Sequence, residues 1–436
     1  MGAAPASAFA LTHAAVIDVR TGVIETDRTI VVVAGRILAV GSSDSLAAPT
    51  GLKEIDAGGA YVVPGLWDMH VHVHDASFLP LLVAEGVTGV REMGDDPTVI
   101  GEWRRDTANG KLLGPRIVMA GLILDGPDPT WPAISRRIRT VEEARAAVRE
   151  AKRAGWDFIK VYNGLSRDAY DAILDEARSA GLPVAGHVPF AVGAAAASDA
   201  GQHSIEHLTG ILEGCTARPR PLPAIADHDW YLAHYDSVLA DSLFARFVRN
   251  KTWQVPTLVL RRMLAQLPSL AGKDDPRLDY VPSAIENRWR FQPRSRGPGA
   301  RDPAREERLF RADERLVGAM HAAGVRMLAG TDLGNPFLYP GFSLHDELGL
   351  LVESDLTPLE ALRAATLGPA EYFGATDSLG TVEPGKVADL VILQANPLEN
   401  IANVSRIEAV CVRGRLLGRA TLDALLAQVR KRASRR

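Results

Sequence analysis

The chain has 436 residues, of which 47% are apolar and 23% charged, a mixture typical of folded globular proteins. Its formal net charge of -4 carries no basic bias, which argues against a nucleic-acid partner. The two cysteines, Cys215 and Cys411, lie far apart, which argues against a disulfide framework and excludes a structural zinc site built from cysteines.

No apolar run reaches the roughly 18 residues that would span a bilayer. The first ten residues are alanine-rich but lack the basic start of a secretory signal. We therefore expect no membrane partner and favour a cytoplasmic location, unless a signal has been removed from this chain.

Both ends of the chain carry short alternating or apolar runs that predict β-strands. A turn at Ala34-Gly35 separates two of them, and a second turn lies at Arg413-Gly414 near the other end. The predicted strands are residues 14–19, 29–33, 36–40, 61–63, 389–393, 407–412 and 415–417. We predict that the two ends build one small β-sandwich domain from residues 1–62 and 376–422.

The middle of the chain alternates predicted strands with predicted helices. A capping box at residues 140–143 opens the first clear helix, and glycines at 155, 181 and 201 end three successive helices. Predicted strands cover residues 157–162, 183–187, 204–207 and 253–258. This rhythm predicts an α/β fold, with a (β/α)8 TIM barrel over residues 63–375 and an insertion at about 215–305. An open doubly wound sheet is the alternative, but the glycine-rich first turn typical of it is missing.

Two imidazoles stand two residues apart in His70-Val71-His72, after the turn and apolar run that begin at Pro64. Side chains at positions i and i+2 of a strand point to the same face, so both rings can hold one cation. Imidazole nitrogen suits zinc and similar transition ions. The pair therefore indicates a metal site.

Further groups of the same kind follow at the ends of later predicted strands. Catalytic groups of such barrels converge at this carboxyl-terminal rim. One such histidine has a common structural explanation, but an ordered series of five metal-competent groups and a lysine does not. The series is His70, His72, Lys160, His187, His207 and Asp332.

At these residues the chain resembles the amidohydrolase superfamily, and within it the imidazolonepropionase and Xaa-Pro dipeptidase-like branch. The resemblance covers nearly the whole chain. Its signatures are residues 64–72, 157–162, 186–189, 204–208, 329–332 and the closing segment 379–391.

The resemblance implies a binuclear centre of two divalent ions, with zinc as the expected metal. His70, His72 and Asp332 would hold one ion, and His187 and His207 the other. Lys160, carboxylated by CO2, would bridge them, because a carbamate offers two anionic oxygens where an ammonium would repel the ions.

The same resemblance implies the chemistry. Two ions lower the pKa of a bridging water from about 15.7 towards about 7, which makes hydroxide available at neutral pH. Asp332 would take the proton of that water and pass it to the leaving amine. Tyr162, two residues after Lys160, is a candidate donor to the scissile carbonyl. The other histidines, including His74 and His345, are assigned no ligand role.

We therefore predict a metal-dependent hydrolase that cleaves the amide bond of a dipeptide or an N-acyl or aryl-acyl amino acid, as a carboxypeptidase does. The alternatives are a cyclic amidase, lactonase or deaminase of the same superfamily, and a non-catalytic metal-binding protein. Residues 120–131 lack the histidine of a Gly-Gly-His-type segment found in dipeptidases of this branch, which argues against prolidase activity. We expect a small-molecule substrate and a homo-oligomer.

Overall fold

The structure is a computed structural model that describes residues 8–217, 228–291 and 302–434. The strands, in chain order, are β1 Phe9–Ile17, β2 Ile24–Val33, β3 Arg36–Ser42, β4 Lys53–Asp56, β5 Tyr61–Pro64, β6 Leu66–Val71, β7 Val87–Glu92, β8 Arg116–Met119, β9 Ile123–Asp125, β10 Ser135–Arg137, β11 Ile159–Val161, β12 Val184–Gly186, β13 Ser204–Glu206, β14 Trp253–Val255, β15 Leu390–Leu393, β16 Ile407–Val412 and β17 Arg415–Gly418.

The helices alternate with the strands through the middle of the chain. They are α1 Phe78–Ala84, α2 Pro97–Ala108, α3 Val141–Ala154, α4 Arg167–Ala180, α5 Ala194–Ala200, α6 Ile211–Gly214, α7 His228–Ala233, α8 Ser237–Asn250, α9 Leu258–Leu270, α10 Ser283–Arg290, α11 Pro303–Ala322, α12 Phe342–Glu353, α13 Pro358–Ala364, α14 Leu367–Tyr372 and α15 Arg419–Ala433, with short 3-10 helices at Pro276–Tyr280 and Ile401–Ser405. Within the described residues no helix is long and apolar enough to cross a membrane.

Strands from both ends of the chain form one mixed sheet. Its order is β17-β16-β15-β5-β1-β2-β3, with β4 also paired to β1. The two ends meet where β15 pairs antiparallel with β5, and Leu390 lies opposite Pro64. Phe9, Ile30 and Ile392 bury their side chains in the core of this sheet. Strands from both ends of the chain therefore share one sheet, and the β-sandwich domain of residues 1–62 and 376–422 stays a prediction.

The middle of the chain forms two parallel sheets. One has the order β10-β9-β11-β12-β13-β14, and the other has the order β6-β7-β8. Every pairing in both sheets is parallel. Parallel strands need covering crossovers, and helices α3, α4 and α5 supply them between successive strands. The predicted α/β class with parallel strands is confirmed.

The helix boundaries follow the local sequence signals. Thr140 caps α3 by accepting a hydrogen bond from the Glu143 amide, and Gly155 ends the helix at a φ of 73°. The predicted capping box is only half formed, because the Glu143 carboxylate accepts from the amide of Arg139 instead of that of Thr140. Ser166 and Gly181 bound α4 in the same manner.

The predicted insertion at about 215–305 is largely helical where it is described. It contains α7, α8, β14, α9 and α10, so part of it continues the strand and helix alternation. Residues 218–227 and 292–301 of this segment lie outside the described residues.

Candidate metal centre

The six predicted metal-site residues line one cavity, although they come from five separate stretches of the chain. His70 lies in β6 and Lys160 in β11, whereas the other four follow a strand or lie in a loop. All six belong to the wall of a cavity of about 1700 Å³: His70, His72, Lys160, His187, His207 and Asp332.

The rings and the carboxylate lie within reach of a shared ion. Oδ1 of Asp332 is 3.3 Å from Nε2 of His70 and 3.5 Å from Nε2 of His72. The ring of His207 is centred 4.4 Å from that of His70 and 4.8 Å from that of His187. One ligand atom each of His70, His207 and Asp332 all lie within 4.8 Å of one another.

Each of the four histidines has its Nδ1 atom held from outside the cluster. His70 donates to Glu206 at 2.8 Å, and His72 donates to the carbonyl of Gly94 at 2.7 Å. The remaining two contacts join His187 to Asn163 Oδ1 at 2.9 Å and His207 to Thr257 Oγ1 at 2.7 Å.

These partners determine which nitrogen of each ring is free. The carbonyl, amide and carboxylate oxygens can only accept, and the Thr257 hydroxyl already donates to the carbonyl of Pro256. Each Nδ1 must therefore carry the proton, which leaves the lone pair on Nε2. Histidines that bind metal commonly show this arrangement, with an outer acceptor that fixes tautomer and orientation.

Electrostatics keeps these rings neutral. Burial, followed by the nearby Lys160, lowers the pKa of His70, His187 and His207 well below 6.5. Burial lowers the pKa of His72 to about 3. Neutral imidazole is the form that binds a metal ion, so the site offers four ligands without a competing proton.

Two buried nitrogens of the site lack a hydrogen-bond partner among the described residues. They are Nε2 of His70 and Nζ of Lys160. Lys160 is 1% exposed, and burial lowers the pKa of its amine. An unpartnered buried polar group is costly, and such groups are normally satisfied by a ligand or an ion. The residues therefore fit a metal centre, and a neutral amine is the form that can add CO2.

The loop that carries Asp332 approaches β6 closely. The amide of Asp332 donates to the carbonyl of His70 at 2.8 Å, and Thr331 donates a hydroxyl hydrogen bond to Asp68 at 2.6 Å. A Cβ atom on Gly330 would lie 2.9 Å from Cβ of His70, so only glycine fits here. This approach places the Asp332 carboxylate beside His70 of β6 and His72, which follows that strand.

Asp332 itself is arranged as a proton acceptor. Burial raises the pKa of its carboxyl, while Lys160 opposes the shift. Asn335 donates to Oδ2 of Asp332 at 2.7 Å, which leaves Oδ1 facing the histidines. The φ of Asp332 is 60°, in the left-handed region that few non-glycine residues adopt, and such strain is concentrated at functional sites.

Tyr162 lies at the cavity wall, with its ring centred 3.9 Å from the ring of His187. Its hydroxyl accepts a hydrogen bond from Nε1 of Trp131 at 3.0 Å. No sequence motif marks Trp131, which lies in a loop 31 residues before Tyr162. Tyr162 is thus next to the cluster, as its position two residues after Lys160 suggests.

Sequence analysis also missed a buried network behind His70. Arg91 donates to both oxygens of Glu206, at 2.8 and 2.9 Å, and also to the hydroxyls of Ser204 and Tyr372. The sequence carries a signal for this network, because an arginine in β7 and a glutamate in β13 need partners when these strands are buried. All of Arg91, Ser204 and Glu206 are at most 1% exposed.

Two of the histidines that were assigned no ligand role, His74 and His345, lie outside the cluster. His74 lines the cavity but directs Nδ1 to Asp95 at 2.9 Å, and its ring stacks 6.4 Å from that of His72. Nε2 of His345 is 2.9 Å from the carbonyl of Glu85, and His345 is not part of the cavity wall.

Known proteins resemble this chain over most of its length. The model of the amidohydrolase family matches residues 61–417. An uncharacterized protein of Mycobacterium tuberculosis is 24% identical over 383 residues, which cover 83% of this chain and 86% of that protein.

Two solved structures share the fold over most of their length. The bottromycin amidohydrolase is 26% identical with a TM-score of 0.76, covering 98% of this chain and 90% of its own. A prolidase complexed with N-methylphosphonate-L-proline is 25% identical with a TM-score of 0.71, covering 95% of this chain and 100% of its own.

Proposed function

The chain belongs to the amidohydrolase family and is a hydrolase of carbon–nitrogen bonds. On that premise we propose that it is a binuclear metal-dependent enzyme that cleaves an amide bond. The proposed substrate is a dipeptide or an N-acyl or aryl-acyl amino acid. The bottromycin amidohydrolase and the prolidase, which share at least a quarter of their aligned residues with this chain, support an amide as the scissile bond.

One observation carries the proposal. Four histidines, two buried and two partly buried, hold Nδ1 protons on outer acceptors and leave Nε2 lone pairs in a shared cavity. Histidines that served only to pack the core would not be expected to share one tautomer next to a lysine amine without a hydrogen-bond partner.

We assign the ligands in two groups. His70, His72 and Asp332 would hold one ion, supported by the contacts of the Asp332 carboxylate with both rings. His187 and His207, whose ring centroids are 4.8 Å apart, would hold the other. Carboxylated Lys160 would join them, and zinc is the proposed metal.

The side chains of the site then have distinct roles. When bound, two ions would supply a water whose pKa falls from about 15.7 towards about 7. Asp332 takes a proton from the attacking water through Oδ1 and gives it to the leaving amine, while Asn335 orients Oδ2. Tyr162 would donate a hydrogen bond from its hydroxyl to the oxygen of the scissile carbonyl and stabilise the negative charge that develops there.

We also propose that the two parallel sheets are parts of one closed (β/α)8 barrel spanning residues 63–375. Parallel bridges from the segment 327–333 reach β14 at Gln254 and β6 at Val71, which supports closure on one side. On the other side, the amide of Asp157 donates to the carbonyl of Met119 at 2.9 Å, next to β11 and β8. Residues 1–62 and 376–422 would then form the separate β-sandwich domain.

Metal removal and a substrate panel test the function together. Protein stripped with a chelator is reloaded with Zn²⁺, with and without bicarbonate, and assayed on dipeptides, N-acyl amino acids, lactones and amino-substituted heterocycles. We expect amide hydrolysis that depends on zinc and increases with bicarbonate. Activity confined to lactones or to ring deamination, or amide hydrolysis unaffected by metal removal, would contradict the proposal.

A further inference from the structure

Helix α10 presents one face to the cavity that contains the candidate metal centre. Ile285, Arg288 and Trp289 all belong to the cavity wall. Their spacing of three and four residues places them on the same side of the helix. A charged side chain therefore stands between two apolar ones on this wall.

Contacts on the same helix connect it to the segment that follows Asp332. The ring of Trp289 is centred 5.7 Å from that of Phe337 and 6.0 Å from that of Tyr339. Phe337 lies two residues after Asn335, whose amide holds the Asp332 carboxylate at 2.7 Å. Arg288 therefore projects from a helix packed on the loop that supplies the proposed proton acceptor.

The charge of Arg288 is not neutralised within the described parts of the chain, where it forms no ion pair. The neighbouring arginines differ in this respect. Arg290 pairs with Glu286 at 2.8 Å, and Arg261, which also lines the cavity, pairs with Asp313 at 2.7 Å. Arg288 is exposed, so its guanidinium can meet a ligand without breaking an ion pair to any residue that the structure describes.

Much of the rest of this side of the cavity is apolar, and its charged residues Arg261 and Asp313 pair with each other. Leu260, Leu264 and Leu316 line it together with Ile285 and Trp289. An apolar wall with one unpaired guanidinium suits a ligand that carries a hydrophobic body and one anionic group. A guanidinium binds a carboxylate through two parallel hydrogen bonds, which adds orientation as well as affinity.

We infer that Arg288 binds the free carboxylate of the substrate and so selects N-acyl amino acids, or dipeptides with an apolar N-terminal part, over the corresponding neutral amides. The inference rests on the proposed function, because it concerns which amide reaches the metal centre. Recognition of the free carboxylate by Arg288 would make the enzyme carboxypeptidase-like.

A matched pair of substrates tests the role of Arg288. N-benzoyl-L-phenylalanine and N-benzoyl-L-phenylalaninamide differ only in the carboxylate, and benzoate release reports cleavage of the same bond in both. The variants are Arg288→Ala, Arg288→Lys and the control Arg308→Ala, which removes the same charge from a side chain that is 62% exposed and outside the cavity.

We expect the parent to prefer the acid. Arg288→Ala should lower kcat/KM for the acid by about 10- to 100-fold, the effect of a lost charge-assisted hydrogen bond, and mainly through KM. The neutral amide should change by less than about twofold, Arg288→Lys should recover part of the loss, and Arg308→Ala should match the parent. Equal losses on both substrates, no loss on either, or a parent without preference for the acid would overturn the inference.

A binding measurement separates this inference from the proposed function. Calorimetry with N-benzoyl-L-phenylalanine is performed on Asp332→Asn protein, with and without Arg288→Ala. A loss of affinity only in the double variant supports Arg288 even if the parent hydrolyses neither compound, a result that would overturn the proposed function alone. Equal affinity in both proteins overturns the role of Arg288, whatever the activity.

Discussion

Nδ1 of His70 lies 2.8 Å from Oε2 of Glu206, and both side chains have no exposed surface. Arg91 donates to both oxygens of the same carboxylate and is also fully buried. A carboxylate oxygen that accepts the imidazole N–H fixes the tautomer of His70. The orientation of His70, a proposed metal ligand, is therefore fixed by Glu206 and Arg91, which lie behind the cavity wall.

Glu206→Gln should weaken metal binding by about 10- to 100-fold, because the amide no longer supplies a charged acceptor to His70. Chelator competition with zinc would measure the change. Glu213→Gln is a suitable control, since Glu213 lies on α6 and lines the same cavity but, in the described part of the chain, forms no hydrogen bond or ion pair with a proposed ligand. Equal zinc affinity in the Glu206 variant and the parent would show that the Nδ1 contact has no role at the metal.

Lys160→Ala should lose bound metal together with activity, because the proposed bridging carbamate is removed. Short carboxylic acids should restore part of the activity, since the cavity left by the side chain can admit a carboxylate between the ions. Crystallography of the parent should show additional density on Nζ. A free ammonium directed away from a metal-loaded site would refute the carbamate.

Asp332→Asn should retain most of the metal yet lose turnover. The amide oxygen can still coordinate weakly, but it cannot accept the proton of the attacking water. The loss should be about 10²- to 10⁴-fold and lie mainly in kcat, because proton transfer belongs to the transition state. Steady-state kinetics with metal analysis would decide, and turnover within about threefold of the parent would exclude Asp332 as the base.

Glu347 should make folding stability depend on pH. Burial raises the pKa of its carboxyl to about 8, against 4.5 for an ordinary glutamate, although the amides of Leu258 and Val259 donate to it. The folded chain then keeps a proton that the unfolded chain releases, so this contribution to stability is present below pH about 4.5 and is lost as pH rises to about 8.

Thermal unfolding of the parent and of Glu347→Gln across this pH interval measures that contribution. As pH rises, the melting temperature of the parent should fall relative to that of Glu347→Gln. A difference that stays constant from about pH 4.5 to about pH 8 would show that the carboxyl does not titrate in this interval.

The sequence predicted the parts of the fold that follow from local signals. Thr140 and Gly155 bound α3 as expected, because capping and the left-handed glycine depend on neighbouring residues only. The close approach of the Asp332 loop to His70 depends on tertiary packing around Gly330, and no local pattern encodes it. The contact of the Glu143 carboxylate with the amide of Arg139 is local, but the capping-box pattern predicts the amide of Thr140 instead.

The candidate site shows the same division. The six proposed ligands were predicted because metal-competent side chains recur at strand ends, a pattern visible along one chain. Their supporting partners were not, because Glu206, Asn163 and Thr257 are ordinary polar residues until the fold places them behind a histidine ring. Glu206 and His207 both reach His70 because the φ of His207 is 57°, which ends the strand alternation there.

The central claim, a binuclear centre built on these residues, is tested most directly by counting metal in active protein. Elemental analysis of the purified parent, together with anomalous diffraction at the zinc edge, should find two ions per chain, about 3.5 to 4 Å apart as in other two-metal sites. One should lie beside His70, His72 and Asp332, and the other beside His187 and His207. Active protein that contains no metal, or a single ion with His187 and His207 unligated, would contradict the account.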